Sequence, residues 1–221
     1  MNTIEALLTR KSVRAYLDKP VEKGKIEAIL DAARHAPSGA NTQPWHVAVV
    51  TGDTKQSLQA EIERAFRSGV KAHSDYQYYP LEWTEPYKAR RLECGMILYQ
   101  TLQIERGDKE RRTDQWAANY RSFDAPVMLL FFIDRHMQAG SYLDYGMFVQ
   151  SVMLAAVELG LATCPQAALA EYPDIVRSKL DYPDSKHLLC GMALGYEDED
   201  AVVNSYRTSR DDVSTFTRYF E

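Results

Sequence analysis

Cysteine is scarce in this chain: 221 residues contain three, Cys94, Cys164 and Cys190, far apart and odd in number. No Cys-x-x-Cys occurs, which excludes a disulfide framework and a zinc ribbon. The five histidines form no His-x-x-x-His or His-Glu pair, so no metal is expected. Neither Gly-x-Gly-x-x-Gly nor a Walker-type Gly-x-x-x-x-Gly-Lys-Ser/Thr is present, so a nucleotide here would not sit in a Rossmann or phosphate-loop site. Positive charge is not in excess either. The net charge is -5 and the pI is about 5.6, which argues against a nucleic-acid partner held by Lys and Arg. Long apolar runs are missing: Pro126–Ile133 suits a buried strand and falls far short of a bilayer span. Met1–Glu5 carries no basic, apolar leader, and the expectation is a cytoplasmic protein with no membrane partner. Repeats and low-complexity segments are absent as well.

What remains is an ordinary globular composition, 45% hydrophobic and 26% charged, without a break along its length. It predicts one domain over 1–221. Ile4, Leu7 and Leu8 fall at helical spacing behind Asn2 and Thr3, which can cap. Arg10–Leu17 reads as extended. Ile26, Ile29, Leu30 and Ala33 mark a second helix that stops at Pro37-Ser38-Gly39. Trp45–Thr51 reads as a buried strand, and Asp53 or Thr54 opens a helix. Residues 71–125 mix aromatics with charge around a helical stripe of Cys94, Ile97, Leu98, Thr101 and Leu102, and read as a largely helical excursion from the core. A strand at Val127–Ile133, a helix from Ser141 to Leu159, a turn at Gly160 and a strand from Leu161 to Ala167 follow. A helix at Glu171–Lys179 and a strand at Leu188–Gly195 complete the core. Strands separated by helices predict an α/β or α+β fold. The tail, 196–221, has no core periodicity and must fray or lie on another surface.

Four segments could carry chemistry. In Arg10-Lys11-Ser12-Val13-Arg14 an extended backbone sends Arg10, Ser12 and Arg14 to one side, a donor face suited to a phosphate or an anionic ring oxygen. A solvated basic edge would look the same. Pro37-Ser38-Gly39-Ala40-Asn41-Thr42-Gln43-Pro44-Trp45 fixes an irregular backbone, and Ser38, Asn41 and Gln43 offer donors and acceptors to a flat heterocycle. A capped helix stop explains Pro37–Gly39, but not why Asn41 and Gln43 crowd beside Pro44-Trp45. Cys164-Pro165-Gln166-Ala167 ends a strand with small residues that let a ligand approach the backbone, while Cys164 itself reads as core. In Asn204-Ser205-Tyr206-Arg207-Thr208-Ser209-Arg210, Arg207 and Arg210 could complete a clamp begun by Arg10, or could simply be solvated.

Taken together and in order, these segments resemble the nitroreductase family of FMN enzymes. The match runs from Arg10–Arg14 through Ala36–Trp45, Gly160–Ala167 and Gly195-Tyr196 to Arg207 and Arg210. Trp83-Thr84-Glu85-Pro86-Tyr87 with Arg90-Arg91 looks like the subgroup of nitrobenzoate and nitrobenzene reductases. The resemblance implies an α+β, nitroreductase-like fold: a mixed central sheet flanked by helices, in an entwined homodimer with the C-terminal tail exchanged. Two FMN sites would lie in the dimer interface. Arg10, Lys11, Ser12 and Arg14 would hold the ribityl phosphate and the pyrimidine edge, and Arg207 and Arg210 would approach the phosphate. Pro165, Gln166 and Ala167 would line the flavin face. Pro37, Ser38, Asn41 and Gln43 would come from the second subunit. The excursion would cover the partner's flavin, with Trp83, Tyr87 and Phe123 as lid residues. Several relatives carry Lys where Arg14 stands; Arg keeps the charge and adds a fork.

The activity implied is a ping-pong reduction in which NADH or NADPH reduces FMN and a small aromatic acceptor, a nitroaromatic or a quinone, is reduced in turn. No side chain is assigned as a proton donor, and Arg14 is assigned as stabiliser of the flavin anion. Reductive dehalogenation, flavin fragmentation and reduction of an activated alkene are alternatives on the same fold. A non-catalytic FMN-binding module and a ligand-free interaction protein are alternatives of other classes.

Overall fold

A computed structural model describes residues 1–221. Four strands form the sheet: β1 (His46–Val50), β2 (Val127–Asp134), β3 (Ala162–Gln166) and β4 (Lys186–Gly195), in the order β1-β2-β4-β3. Every pairing is antiparallel, with His46 opposite Phe132, Leu129 opposite Met192 and Gln166 opposite Gly191. The expected mixed sheet is therefore not present within one chain. The only parallel contact is an isolated bridge between Ser12 and Thr163.

β2 explains why its sequence is apolar without alternation. Neighbouring side chains on a strand face opposite ways, and here both faces are covered. Val127, Leu129, Phe131 and Ile133 pack into one layer with Ile29 and Ala33 of α2 (Lys23–Ala33) and Phe148 and Val152 of α6 (Ala139–Glu158). Met128, Leu130 and Phe132 pack into the other with Leu58 and Ile62 of α3 (Gly52–Arg67) and Val176 of α7 (Pro173–Leu180). A fully buried strand needs no polar face.

Glycine is required at two points of β4: a Cβ on Gly195 would lie 2.7 Å from Pro126 Cδ, and Gly191 is tighter still. A Cβ on Gly191 would lie 2.8 Å from Leu169 Cβ and closer still to its Cδ1, so β4 passes the turn at Ala167–Ala170 only with a bare backbone.

Around this core, α1 (Thr3–Thr9) starts where expected, with the Asn2 side chain accepting the Glu5 N–H at 2.9 Å. The excursion leaves after α3 and returns at β2. It holds α4 (Tyr87–Thr101) and α5 (Lys109–Ala117), but 71–86 forms no helix. Its first tyrosines pack instead, Tyr76 against Tyr142 of α6 and Tyr78 against Tyr79, while the Tyr76 hydroxyl donates to Leu189 O at 2.8 Å. α2 ends at Ala33, four residues before Pro37, and turns fill the gap; the other observed ends differ by one or two residues from those expected. The tail holds a 3-10 turn at Val202–Asn204 and one short α-helix, α8 (Val213–Phe216), joined by irregular chain.

Leu129 lies in the centre of the first layer with no exposed surface. Leu129→Ala is expected to lower stability by about 2–5 kcal/mol through lost transfer energy and a residual cavity, read from chemical denaturation. Gly191→Ala should lower it by about 1–3 kcal/mol through overpacking.

Candidate functional site

The segment 10–17 runs extended along the end of the sheet. Val13 donates to Thr163 O at 3.0 Å and Leu17 to Tyr196 O at 2.9 Å, so the segment is pinned to β3 and to the residue after β4. Val13 points inward and is 1% exposed. Alternation then turns Ser12 and Arg14 outward. The tail returns beside them. Asn204, 3% exposed, accepts the Arg14 N–H at 2.8 Å and donates to Ala15 O and Asp198 O, both at 2.9 Å.

A pocket of about 360 Å³ opens there, lined by Arg10, Lys11, Ser12, Arg14, Tyr206, Arg207 and Arg210 among others. Residues almost 200 positions apart thus form one wall. None of the four arginines is ion-paired, because Glu197 and Asp211 are engaged by Lys11 and Arg90. Arg10 is held below its ordinary pKa, first by burial and then by the charges of Arg210 and Arg207. The pocket therefore concentrates positive charge without a counterion, which suits a dianionic phosphate.

The four cations are not equivalent. Arg207 donates to Leu8 O, Thr9 O and Arg10 O at 2.7, 3.1 and 2.6 Å, capping the carbonyl end of α1. Three of its five N–H groups are engaged, and the rest remain for a ligand. Arg210 donates only to Thr208 and Ser209, its immediate neighbours. On either side of it, Ser209 donates to Glu93 Oε1 at 3.4 Å and Asp211 pairs with Arg90, fastening the tail to α4. Lys11 is tied to Glu197 Oε1 at 2.6 Å and donates to Asn204 O at 2.9 Å, so its role in the wall is structural before it is ligating.

The other expected residues lie at varying distances from this wall. β3 brings Pro165 and Gln166 alongside, with Ala167 opening the next turn. Gln166 is buried; its Nε2 donates to Asn119 O at 2.8 Å and its Oε1 has no partner in the chain. Pro37, Ser38, Asn41 and Gln43 do not line the pocket of their own chain. They form an exposed loop in which Ala40, Asn41 and Gln43 hold φ of 49°, 56° and 47° without a glycine among them. Such left-handed non-glycine residues cost about 1 kcal/mol or more each and collect at functional loops. Two backbone-to-side-chain bonds help hold the loop: Gln43 N–H to Ser38 Oγ at 2.9 Å and Gly39 N–H to Asp144 Oδ2 at 3.0 Å. Trp83 and Tyr87 sit on the excursion, Trp83 against Tyr79 and under Arg91, Tyr87 half-exposed beside Arg90. Phe123 departs from expectation. It is 6% exposed and packs with Ala125, Cys164 and Ala193, so it belongs to the core beneath Arg14 and not to a surface lid.

Residues 7–196 match the model of the Nitroreductase family. The chain belongs to this family. It is 39% identical to the 4-nitrobenzoate reductase of Pseudomonas putida over 96% of this chain and 92% of that one. Its fold superposes with a TM-score of 0.97 on the FMN and NADPH-dependent nitroreductase NfnB from sphigopyxis sp. strain HMH, at 40% identity and full coverage of both chains. The FMN-dependent NfnB from Mycobacterium smegmatis, solved in complex with NADPH, gives a TM-score of 0.94 at 32% identity, again with full coverage of both. The nitroreductase fold and family are therefore those anticipated from the motifs.

Two residues of this wall carried no assignment in the sequence, although they stand in the same run as Arg207. Asn204 joins both ends of the chain, and the Tyr206 hydroxyl accepts from Arg14 Nη1 at 3.0 Å. No local pattern marks either, since their partners are about 190 positions away. Asn204→Ala removes three buried hydrogen bonds and leaves their partners unsatisfied. The expected loss is about 1–3 kcal/mol or more, measurable by thermal unfolding.

Proposed function

We propose that this chain is an FMN-dependent, nicotinamide-driven reductase of nitroaromatic compounds that works as a homodimer. The observation that carries this reading is the convergence of Arg10, Ser12, Arg14, Arg207 and Arg210 on one pocket without a paired carboxylate among them. A phosphate monoester is the ligand such a donor set fits. Family membership and the likeness to two FMN-dependent structures support FMN as its carrier. Both of those proteins are described with NADPH, which supports NADPH over NADH as the reductant.

Bound FMN would supply the redox chemistry, accepting two electrons from the nicotinamide and giving them to a nitroaromatic, or to a quinone, in a ping-pong cycle. The chain's own residues bind and orient. Arg10 and Ser12, with the free donors of Arg207 and Arg210, hold the phosphate. Arg14 presents its charge to the pyrimidine edge, where negative charge grows on reduction. Pro165, Gln166 and Ala167 back the ring, and the unpartnered Gln166 Oε1 is free to accept from it. Lys11 stiffens the wall through Glu197. Pro37, Ser38, Asn41 and Gln43 act on the partner's flavin, because their loop is exposed and rigidly shaped yet stands off its own pocket. Trp83 and Tyr87 offer aromatic surface to a flat acceptor.

The homodimer rests on apolar surface that one chain leaves open. Ile4 and Leu8 on α1, Leu143 on α6, and Phe216, Tyr219 and Phe220 on the tail are exposed, Phe220 by 90%. A C-terminal tail carrying three bare aromatics fits a strap across a second copy.

Purified protein is expected to be yellow and to bleach faster with NADPH than with NADH, recovering colour when 4-nitrobenzoate is added. A colourless preparation that takes up no FMN would end the proposal, and bleaching without turnover of any nitroarene would reduce it to a flavin carrier. Arg10→Ala should weaken FMN by about tenfold to a hundredfold, the worth of one or two charge-assisted hydrogen bonds. Truncation after Asp212 keeps every arginine of the pocket. It should shift the protein toward monomer in light-scattering measurements; an unaltered dimer would assign the tail another role.

A further inference from the structure

Arg14 is the one cation of the pocket with aromatic rings beside its side chain. Its Nη1 donates to Ser12 O at 3.2 Å and to the Tyr206 hydroxyl at 3.0 Å. Its guanidinium carbon lies 5.9 Å from the centre of the Tyr206 ring and 6.0 Å from that of Phe123. No carboxylate pairs with it, so its charge is not neutralised where it stands. Cation–π contact and a neutral acceptor orient a guanidinium without cancelling its field.

The two rings arrive from distant parts of the chain, and both are fixed. Tyr206 follows Asn204, whose side chain anchors the tail to the Arg14 backbone. Phe123 stands in the middle of a left-handed run, with φ of 54°, 53° and 59° at Ser122, Phe123 and Asp124. Three such residues in succession persist only where packing overrides the backbone's preference. That strained turn drives Phe123 into the core beneath Arg14.

We propose that Tyr206 is the positioning residue of Arg14: its hydroxyl and ring aim the guanidinium at the flavin edge and so raise the reduction potential of the bound cofactor. Phe123 is the second fixed ring beside it. The proposal rests on the reading of this pocket as the FMN site. It gives Tyr206 a role with no covalent or proton-transfer step, acting through Arg14 alone.

The test is a double-mutant cycle read by the two-electron midpoint potential of bound FMN, with the FMN dissociation constant measured alongside. Tyr206→Phe keeps the ring and removes the acceptor. It should favour the oxidised over the reduced flavin by about five-fold, the worth of one neutral hydrogen bond, or about 20 mV toward the negative. Tyr206→Leu also removes the ring and should shift it further. Arg14→Ala should shift it most, and adding Tyr206→Phe to Arg14→Ala should change nothing more, because coupled residues are not additive. An undiminished Tyr206→Phe shift in the Arg14→Ala background would overturn the proposal in favour of direct contact between Tyr206 and flavin. A potential unmoved by Tyr206→Phe and Tyr206→Leu, with Arg14→Ala still shifting it, would overturn the positioning role and leave the site intact. If Arg14→Ala and Arg10→Ala alter neither potential nor FMN binding, the pocket itself has been misread.

Discussion

Like charges must be held together here against their own repulsion, and much of the chain's local structure serves that end. Arg10, Arg207 and Arg210 share a pocket, and no carboxylate neutralises them. Left alone, an extended tail carrying two guanidinium groups would swing away from a third. Independent fastenings prevent this. Arg207 is drawn to the carbonyl end of α1, a partial negative charge that is not an ion. Asn204 ties the tail backbone to the Arg14 segment, and Ser209 and Asp211 tie it to α4. Neutral acceptors and helix ends hold the cations without cancelling them, so the field stays available to an anion. Arg10 sits below its ordinary pKa first because it is partly buried and then because Arg210 and Arg207 stand near it.

The same constraint explains the division of labour between sheet and loops. β2 and β4 are covered on both faces and supply rigidity. None of the assigned donors lies on β2 or β4. They stand on segments fastened to the end of the sheet, where irregular backbone can turn several donors toward one point. Strained conformations at 40–43 and 122–124 occur in these segments and nowhere in the strands. The core's stability is what makes such strain tolerable.

Much of this was legible in the sequence because it depends on local patterns. The unbroken apolar run of β2, the Asn2 cap and the breaker at Pro37–Gly39 each state their structure within a few residues. The basic segment at Arg10–Arg14 was visible too, and the family motifs tied it to Arg207 and Arg210. What the sequence concealed depends on partners far along the chain. Tyr206 and Asn204 are ordinary tail residues until Arg14 is beside them. Phe123 looked like one more aromatic in a polar excursion, and only its left-handed backbone sends it inward. The direction of strand pairing has no local code, and the mixed sheet expected from the family became a wholly antiparallel one within the chain.

The excursion, 71–125, is joined to the arginine-lined wall at few points: the Arg90 and Glu93 face of α4, the Gln166 contact with Asn119, and the turn that delivers Phe123. Tyr78, Tyr79 and Trp83 of this segment pack on one another. Selection can therefore rewrite the aromatic surface of this segment residue by residue while the arginine pocket is inherited unchanged. Diversification of acceptors across descendants of such a chain would be recorded in the middle of the gene and silent at both of its ends.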